Sequence, residues 1–314
     1  MFQALRSSRA ARRLRSGLLW GLSPSIALAF AAPAFGCAGG QAQTDARSAR
    51  VAEIYPSSNE LPENLLRFYV YFTQPMERGE VLGSIALLDE ERRPIDGAFL
   101  ENRYRLWSPD DRRLTLIFDP GRVKTGLKSH RQLGRALAAG RRYVLRIGKT
   151  ALSANGCPLA EVFEKEFTAT AEDRSSPDPG RWRLDVPRIG TLQALEVELD
   201  GPYDHLSLAY RVRVLDPLGN VVPGRVELDE GESRWLFKPT TPWRAAVYQI
   251  AVETSLEDLA GNRPGRLFDL PPSPEGHKKA GDFPNSPSPP LEISFTPLRG
   301  LKRGRPEGAN HPDR

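Results

Sequence analysis

The residues of this chain that could do chemistry are few and widely spaced. Its four histidines are His130, His205, His277 and His311. A metal site or an acid–base pair needs such side chains grouped at short spacing, and no pair of histidines has ligand spacing. The chain also lacks a His-Glu-x-x-His motif, a Gly-x-Ser-x-Gly motif and a glycine-rich phosphate loop. We therefore expect a protein that is not an enzyme, with no catalytic residues, no metal and no cofactor.

Cys37 ends a segment with the composition of a bacterial export signal. Five arginines and no acid precede residue 17, and the next residues, GLLWGLSPSIALAFAA, are mostly apolar. At about 16 residues this stretch is shorter than the roughly 20 that a spanning helix needs. Residues 34–37 (AFGC) resemble a lipobox, in which the signal is cut before a cysteine that then carries lipid. We predict a signal peptide over residues 1–36 and lipidation of Cys37; the alternative is cleavage after Ala34 with Cys37 unmodified.

Three tryptophans are candidates for ligand contact, because a flat ring can stack on the apolar face of a pyranose sugar. Trp107, Trp182 and Trp243 fall near expected strand ends or turns. The alternative is that each packs in a core. Cys157 lies in the turn-like segment SANGCP, and with Cys37 lipidated it is expected to be a half-buried, unpaired thiol.

Two pairs of oxygen-bearing side chains invite a calcium interpretation. Asp216 with Asn220, and Asp258 with Asn262, offer hard oxygen ligands on loops. Aspartate and asparagine are also preferred turn residues, because they hydrogen-bond to their own backbone. The turn interpretation is the simpler one, so no metal site is predicted.

The charge balance argues against a nucleic-acid partner. The chain holds 44 basic and 39 acidic residues, and the formal net charge of +5 is matched by the five arginines of the predicted signal. A polyanion groove needs clustered positive charge in the folded part. The expected partners are a membrane, through the lipid, and other envelope proteins or polysaccharide.

Alternating apolar and polar residues predict short β-strands joined by turns. Leu66, Phe68, Val70 and Phe72 alternate with Arg67, Tyr69 and Tyr71. Further strands are predicted around residues 104–106, 114–118, 143–147, 163–167, 195–199, 210–214, 235–237, 248–252 and 291–295. A hairpin turn is expected at Ser108–Asp111, and one short helix at 128–139. The predicted fold class is all-β, an antiparallel sandwich.

The chain contains an internal repeat. Residues 87–97 parallel 214–224, residues 116–120 parallel 235–239, and residues 143–156 parallel 248–262. Two tandem sandwiches follow, at 51–172 and 182–296. The remaining segments are a flexible tether at 37–50, a linker at 173–181, a Pro-rich insertion at 271–290 within the second sandwich, and a disordered basic tail at 297–314.

The first copy resembles a known family. Its segment Tyr55–Asn64 (YPSSNELPEN), followed by Val70–Met76 (VYFTQPM), is similar to the opening of the bacterial Ig-like domain typified by the S-layer protein SbsA. The turn Asp258–Asn262 (DLAGN) resembles that family's turn before the last strand, although the second copy has LDGPY in place of the Phe-x-x-Pro-Met element. The resemblance implies a seven-stranded Ig-like sandwich used as a spacer, scaffold or adhesion module.

These features together predict a non-catalytic lipoprotein of the bacterial cell envelope, on its outer-membrane or periplasmic side. Its two Ig-like domains would act as a scaffold or binding module. The alternative function is that of a carbohydrate-binding or enzyme-accessory protein, in which one of the three tryptophans contacts polysaccharide.

Overall fold

The structure is a computed structural model that describes residues 48–79, 81–100, 106–123, 134–229, 231–269 and 289–299. The predicted signal peptide, Cys37, most of the tether, most of the Pro-rich insertion and nearly all of the basic tail lie outside these residues. No helix in the described ranges is long and apolar enough to cross a membrane.

Seven strands form a first sandwich of two sheets. Their sheet orders are β1-β3-β5 and β2-β7-β6-β4, and all pairs are antiparallel except β2 with β7. A 3-10 turn at Val81–Ser84 precedes β4, and a four-residue helix α1 (Pro120–Val123) follows β5. The strands are β1 (Val51–Tyr55), β2 (Glu60–Pro62), β3 (Arg67–Phe72), β4 (Ile85–Leu88), β5 (Arg113–Ile117), β6 (Arg142–Ile147) and β7 (Phe163–Thr170).

Seven more strands form a second sandwich. Its sheets have the orders β8-β9-β12-β11 and β10-β13-β14. A 3-10 turn at Pro179–Arg181 precedes β8, and helix α2 (His205–Arg211) begins after the capping side chain of Asp204. The strands are β8 (Arg183–Asp185), β9 (Leu195–Glu198), β10 (Val212–Leu215), β11 (Gly224–Leu228), β12 (Arg234–Pro239), β13 (Tyr248–Val252) and β14 (Leu291–Phe295).

The two sandwiches follow the same chain path. In one sheet β1-β3-β5 corresponds to β8-β9-β12, and a single bridge between Phe99 and Phe118 stands where β11 pairs with β12. In the other sheet β7-β6-β4 corresponds to β14-β13-β10, and a parallel bridge between Arg188 and Leu298 stands where β2 pairs with β7. The all-β fold is thus an Ig-like arrangement built twice.

The turn after β4 matches the turn after β10 bond for bond. Asp89 N–H donates to the Arg93 carbonyl at 3.0 Å, and Asp216 N–H donates to the Asn220 carbonyl at 2.9 Å. Each aspartate also accepts, on its side chain, backbone N–H groups two and four residues later. This agreement extends the repeat from sequence pattern to local geometry.

Each sandwich has its own hydrophobic core. The first contains Phe68, Leu116 and Phe118, and the second contains Trp235 and Ile250, all at most 1% exposed. The apolar residues fall on alternate positions of the strands, as a sheet with one packed face requires. Two residues from the second half of the chain break the separation: Leu259 packs in the first core, and the partly buried Phe268 packs against it.

The secondary structure differs from the sequence prediction at positions where tertiary packing or a helix cap outweighs the hydrophobic pattern. Residues 134–139 of the predicted helix are not helical, and Leu137 packs in the first core there; residues 128–133 lie outside the described ranges. Tyr210 belongs to α2 rather than to a strand, because Asp204 caps a helix that pattern alone did not reveal. Ala49 is fully buried, so the packed chain begins before Val51.

Candidate functional site

The three tryptophans predicted as ligand contacts are core residues. Trp107, Trp182 and Trp243 are 9%, 6% and 2% exposed, the first in one core and the other two in the second. A ring that stacks on a sugar needs an open face, so the structure corrects this prediction for all three. The indole N–H of Trp243 donates to the Gln193 carbonyl at 2.8 Å and that of Trp182 to Asp200 at 3.1 Å, which makes their burial favourable.

Cys157 differs from its prediction as well. It is disulfide-bonded and 3% exposed, not a half-buried unpaired thiol. The sequence holds two cysteines. Cys37 lies outside the described residues, but a bond to Cys157 within one chain would engage that residue, and one sulfur cannot form both a disulfide and a thioether to lipid.

The two aspartate–asparagine pairs act as turn caps. Asp258 Oδ1 accepts the backbone N–H groups of Ala260 and Asn262, both at 2.8 Å, and its Oδ2 accepts the Asn262 side-chain amide at 2.9 Å. Asp216 binds Asn220 in the same manner. Among the described residues no three His, Cys, Asp or Glu side chains are grouped as metal ligands.

The structure instead brings together polar side chains from the two sandwiches. Arg67 on β3 lies between two carboxylates of the second sandwich: its Nε is 3.6 Å from Asp204 Oδ2, and its guanidinium pairs with Glu257. The Tyr69 hydroxyl donates to Asp204 at 2.9 Å. Glu257 also accepts from Arg263 at 2.6 Å. We call Arg67, Tyr69, Asp204 and Glu257 the ionic contact.

Burial and charge shift the titration of the ionic contact. Burial raises the pKa of Asp204, and the Arg67 guanidinium opposes that shift. Burial alone would lower the pKa of Arg67, but Asp204 and Glu257 raise it above its usual range. Burial and the Asp204 charge raise the pKa of Tyr69, which keeps its hydroxyl a donor. The Arg67 guanidinium thus hydrogen-bonds to Glu257, whereas its buried Nε faces Asp204 at ion-pair distance without a hydrogen bond to that carboxylate.

A second group of side chains lies beside the ionic contact. Glu232 is fully buried, and both its carboxylate oxygens accept the Ser57 N–H at 3.1 Å. The His205 ring stacks on Tyr55 with centroids 3.5 Å apart, and its Nδ1 is 3.8 Å from Glu232. Lys165 Nζ donates to the Ser57 carbonyl at 2.9 Å. We call Tyr55, Ser57, His205 and Glu232 the Glu232 cluster.

The turn Asp258–Asn262 makes a third contact between the sandwiches. Leu66 N–H donates to the Leu259 carbonyl at 2.9 Å, and the Leu259 side chain enters the first core. The Asn262 amide donates to the Asp173 carbonyl at 3.2 Å. Burial raises the pKa of Asp258 to about 7, although the N–H groups it accepts favour the carboxylate.

These contacts bind the two sandwiches to each other. Each carboxylate of the ionic contact faces a cation or a donor of the other sandwich. A surface cleft of about 400 Å³ lies elsewhere, beside β6 and β7. Two of its charged residues have partners: Glu90 accepts the Arg142 N–H at 3.0 Å, and Arg92 pairs with Glu164.

Sequence reasoning missed the contact but had a signal for it. Arg67, Tyr69 and Tyr71 were assigned to the outward face of a half-buried strand, yet Tyr69 is 2% exposed. This face was expected to be exposed to water, yet it carries two aromatic residues and an arginine, a composition that is typical of interfaces. The matching acidic residues, Asp204, Glu232 and Glu257, lie in connecting segments with no pattern of their own.

No protein-family model matches the chain, and no curated protein matches it either. Similar solved structures include the MG0-NIE-MG1 domains of native α2-macroglobulin from Escherichia coli, at 17% identity over 82% of this chain and 73% of that chain, with a TM-score of 0.26. The chain is also similar to E. coli α2-macroglobulin in its native conformation. That match has 13% identity, covers 67% of this chain and 13% of that chain, and has a TM-score of 0.26.

A chimeric titin Z1Z2 tandem matches at 8% identity over 81% of this chain and all of the other, with a TM-score of 0.19. The identities and TM-scores are too low for any of these likenesses to carry a functional argument. The assignment of an all-β, Ig-like double sandwich rests on this chain's own strand order, register and cores.

Proposed function

We propose that the chain is a non-catalytic scaffold or binding module of the bacterial cell envelope, in which two SbsA-type Ig-like sandwiches are held in a fixed arrangement. The observation that carries the proposal is the contact between the sandwiches, where Arg67 lies between Asp204 and Glu257. A spacer or scaffold needs a defined distance and direction between its ends, and this contact supports that role.

The energetics of the contact agree with an orienting role. A buried ion pair adds little net stability, because removing both charges from water offsets most of their attraction. Its geometry is nevertheless specific, because a rotated sandwich would leave Asp204 or Glu232 buried without its partner. The apolar part of the contact comes from Leu259 and Phe268, which pack in or against the first core. Several relative orientations of the two sandwiches could bury Leu259, and the polar contacts therefore select one of these orientations.

The envelope location is proposed from the export signal at residues 1–36, with Cys37 as the lipidated anchor. A disulfide between Cys37 and Cys157 would exclude that anchor, because one sulfur cannot form both a disulfide and a thioether. The mass of the purified, unreduced chain separates the two states. A thioether-linked lipid adds the mass of a diacylglycerol and gives a detergent-soluble membrane fraction, whereas a water-soluble chain without that mass would overturn the anchor.

The scaffold role is tested by capture from the solubilised envelope of the source cell. The tagged full chain is expected to retain envelope proteins or polysaccharide. The double variant Arg67→Met with Asp204→Asn removes the ion pair without leaving one charge unmatched, and Asn still caps α2. It should keep both sandwiches folded and lose capture, whereas the exposed control Tyr210→Phe should not. Equal capture by the double variant, or recovery of the full-length chain from the cytosol, would overturn the proposal.

A further inference from the structure

One end of the second sandwich exposes an unusual number of apolar side chains. Eight large hydrophobic residues of the described ranges are exposed, and five of them lie in four loops at this end. They are Leu192 (55% exposed), Leu218 (85%), Val221 (56%), Val247 (55%) and Leu298 (56%). We call residues 187–194, 216–223, 240–247 and 296–299 the distal loops.

Backbone hydrogen bonds hold the distal loops side by side. Gly190 N–H donates to the Trp243 carbonyl at 2.8 Å, Leu298 N–H to Pro187 at 2.9 Å, and Thr240 N–H to Pro223 at 2.9 Å. The four loops that carry the five apolar side chains are therefore neighbours at one end of the sandwich.

This surface faces away from the first sandwich. The distal loops precede β9 and β13, whereas Asp204 and Leu259, which contact the first sandwich, follow the opposite ends of those strands. The inter-sandwich contact therefore leaves the distal loops open.

The surroundings of the apolar side chains are basic. Arg188, Arg244 and Arg299 are exposed, and within the described part of the chain none of them forms an ion pair. The nearby carboxylate of Asp216 is engaged by N–H groups of its own turn.

We propose that the distal loops are a docking surface for the headgroup region of an anionic lipid bilayer. Aliphatic side chains at loop tips enter the boundary between headgroups and acyl chains, and the surrounding guanidinium groups bind lipid phosphates. The exposed five are all aliphatic and lie in four loops, whereas a protein interface is enriched in aromatic residues over a packed core. This surface is distinct from an anchor at Cys37.

The test is co-sedimentation of the full chain with phosphatidylcholine vesicles that contain or lack phosphatidylglycerol. The wild type should bind the anionic vesicles more tightly. Leu218→Asp with Val247→Asp should weaken that binding about tenfold or more, because two apolar side chains no longer enter the bilayer. Arg188→Gln with Arg244→Gln should weaken it by about fivefold per arginine, and added salt should reduce the difference.

Matched controls carry the same charge change elsewhere. Val162→Asp with Tyr210→Asp, and Arg183→Gln with Arg225→Gln, alter exposed residues outside the distal loops and should bind as the wild type does. All variants keep the same N-terminal segment, so its contribution is equal throughout. Absence of wild-type binding, or equal losses in the distal and control variants, would overturn the proposal. So would distal variants that abolish self-association in gel filtration but leave vesicle binding intact.

Discussion

The Tyr69 hydroxyl and the Asp204 carboxylate, 135 positions apart in the sequence, meet at 2.9 Å across the boundary between the two sandwiches. Tyr69 is on β3 of the first sandwich, and Asp204 caps α2 of the second. One carboxylate thus starts a helix in its own sandwich and binds the neighbouring one. Any change in the angle between the sandwiches must break this hydrogen bond.

Tyr69→Phe should lower the free energy of unfolding by about 1.5 to 3 kcal/mol, the usual contribution of a hydrogen bond to a charged group. The change removes only the hydroxyl that donates to Asp204. Urea denaturation followed by circular dichroism measures the loss. Tyr210→Phe, at a side chain that is 62% exposed, is the matched control and should change stability by less than about 0.5 kcal/mol. Equal effects would show that Asp204 does not depend on the Tyr69 hydroxyl.

Stability should fall as the pH rises from about 4 to about 7. Burial raises the pKa of Asp258 from 3.8 to about 7, with the nearby Asp173 charge adding to the shift. Between these two pH values the Asp258 carboxyl is protonated in the folded chain and ionised in the unfolded chain. Its contribution to the free energy of unfolding is therefore complete below the pKa of the unfolded state and is lost as the pH rises through the pKa of the folded state. The upper bound is about 4 kcal/mol.

Urea denaturation at several pH values tests this slope. Asp258→Asn cannot titrate and should reduce the pH dependence across that window, leaving the part that comes from the raised pKa of the buried Asp204. Asp216→Asn changes the corresponding residue type in an exposed turn, where backbone hydrogen bonds lower the pKa, and should leave the slope in place. If Asp258→Asn keeps the wild-type slope, Asp258 is not the group responsible.

Gly261→Ala should destabilise the chain more than Gly156→Ala. The two glycines take matching places in equivalent turns, with φ of +80° and +74°, so alanine meets a similar backbone penalty of about 1 to 2 kcal/mol at each. At Gly261 the added Cβ would also lie 2.7 Å from Leu66 Cδ2, whereas at Gly156 nothing lies within 4 Å. The difference in stability between the two variants, measured by thermal unfolding, therefore reports the close contact between Gly261 and Leu66 of the other sandwich.

Leu259→Ala should cost about 2 to 5 kcal/mol, as for other buried leucines. Leu259 is 4% exposed and packs in the first core, although it belongs to the second half of the chain. Calorimetry should show one cooperative transition in the wild type and two separated transitions in the variant. Leu218→Ala, at 85% exposure, should leave the profile unchanged. Two independent transitions in the wild type would contradict the coupling.

The sequence predicted much of the fold because its signals are local. Alternation along Leu195–Leu199 or Tyr143–Ile147 follows from a strand with one packed face, and it can be recognised without knowing the neighbour. The match between residues 87–97 and 214–224 is equally local, since each aspartate caps its own turn. The structure shows that Tyr203 of the LDGPY segment takes the place of Met76, since both are 1% exposed and bridge to equivalent turns, Tyr203 to Asp258 and Met76 to Ser153.

The all-β class and the two copies are predictable from the sequence, because composition, hydrophobic period and turn chemistry act over a few residues. The burial of Trp107, Trp182 and Trp243 in the cores and the bonding of Cys157 depend instead on how distant segments pack. The tertiary structure also decided that Arg67 and Tyr69 meet Asp204. Residues that are 135 positions apart become neighbours only when the two folded sandwiches pack together. The local hydrophobic period of the sequence contains no information about that packing.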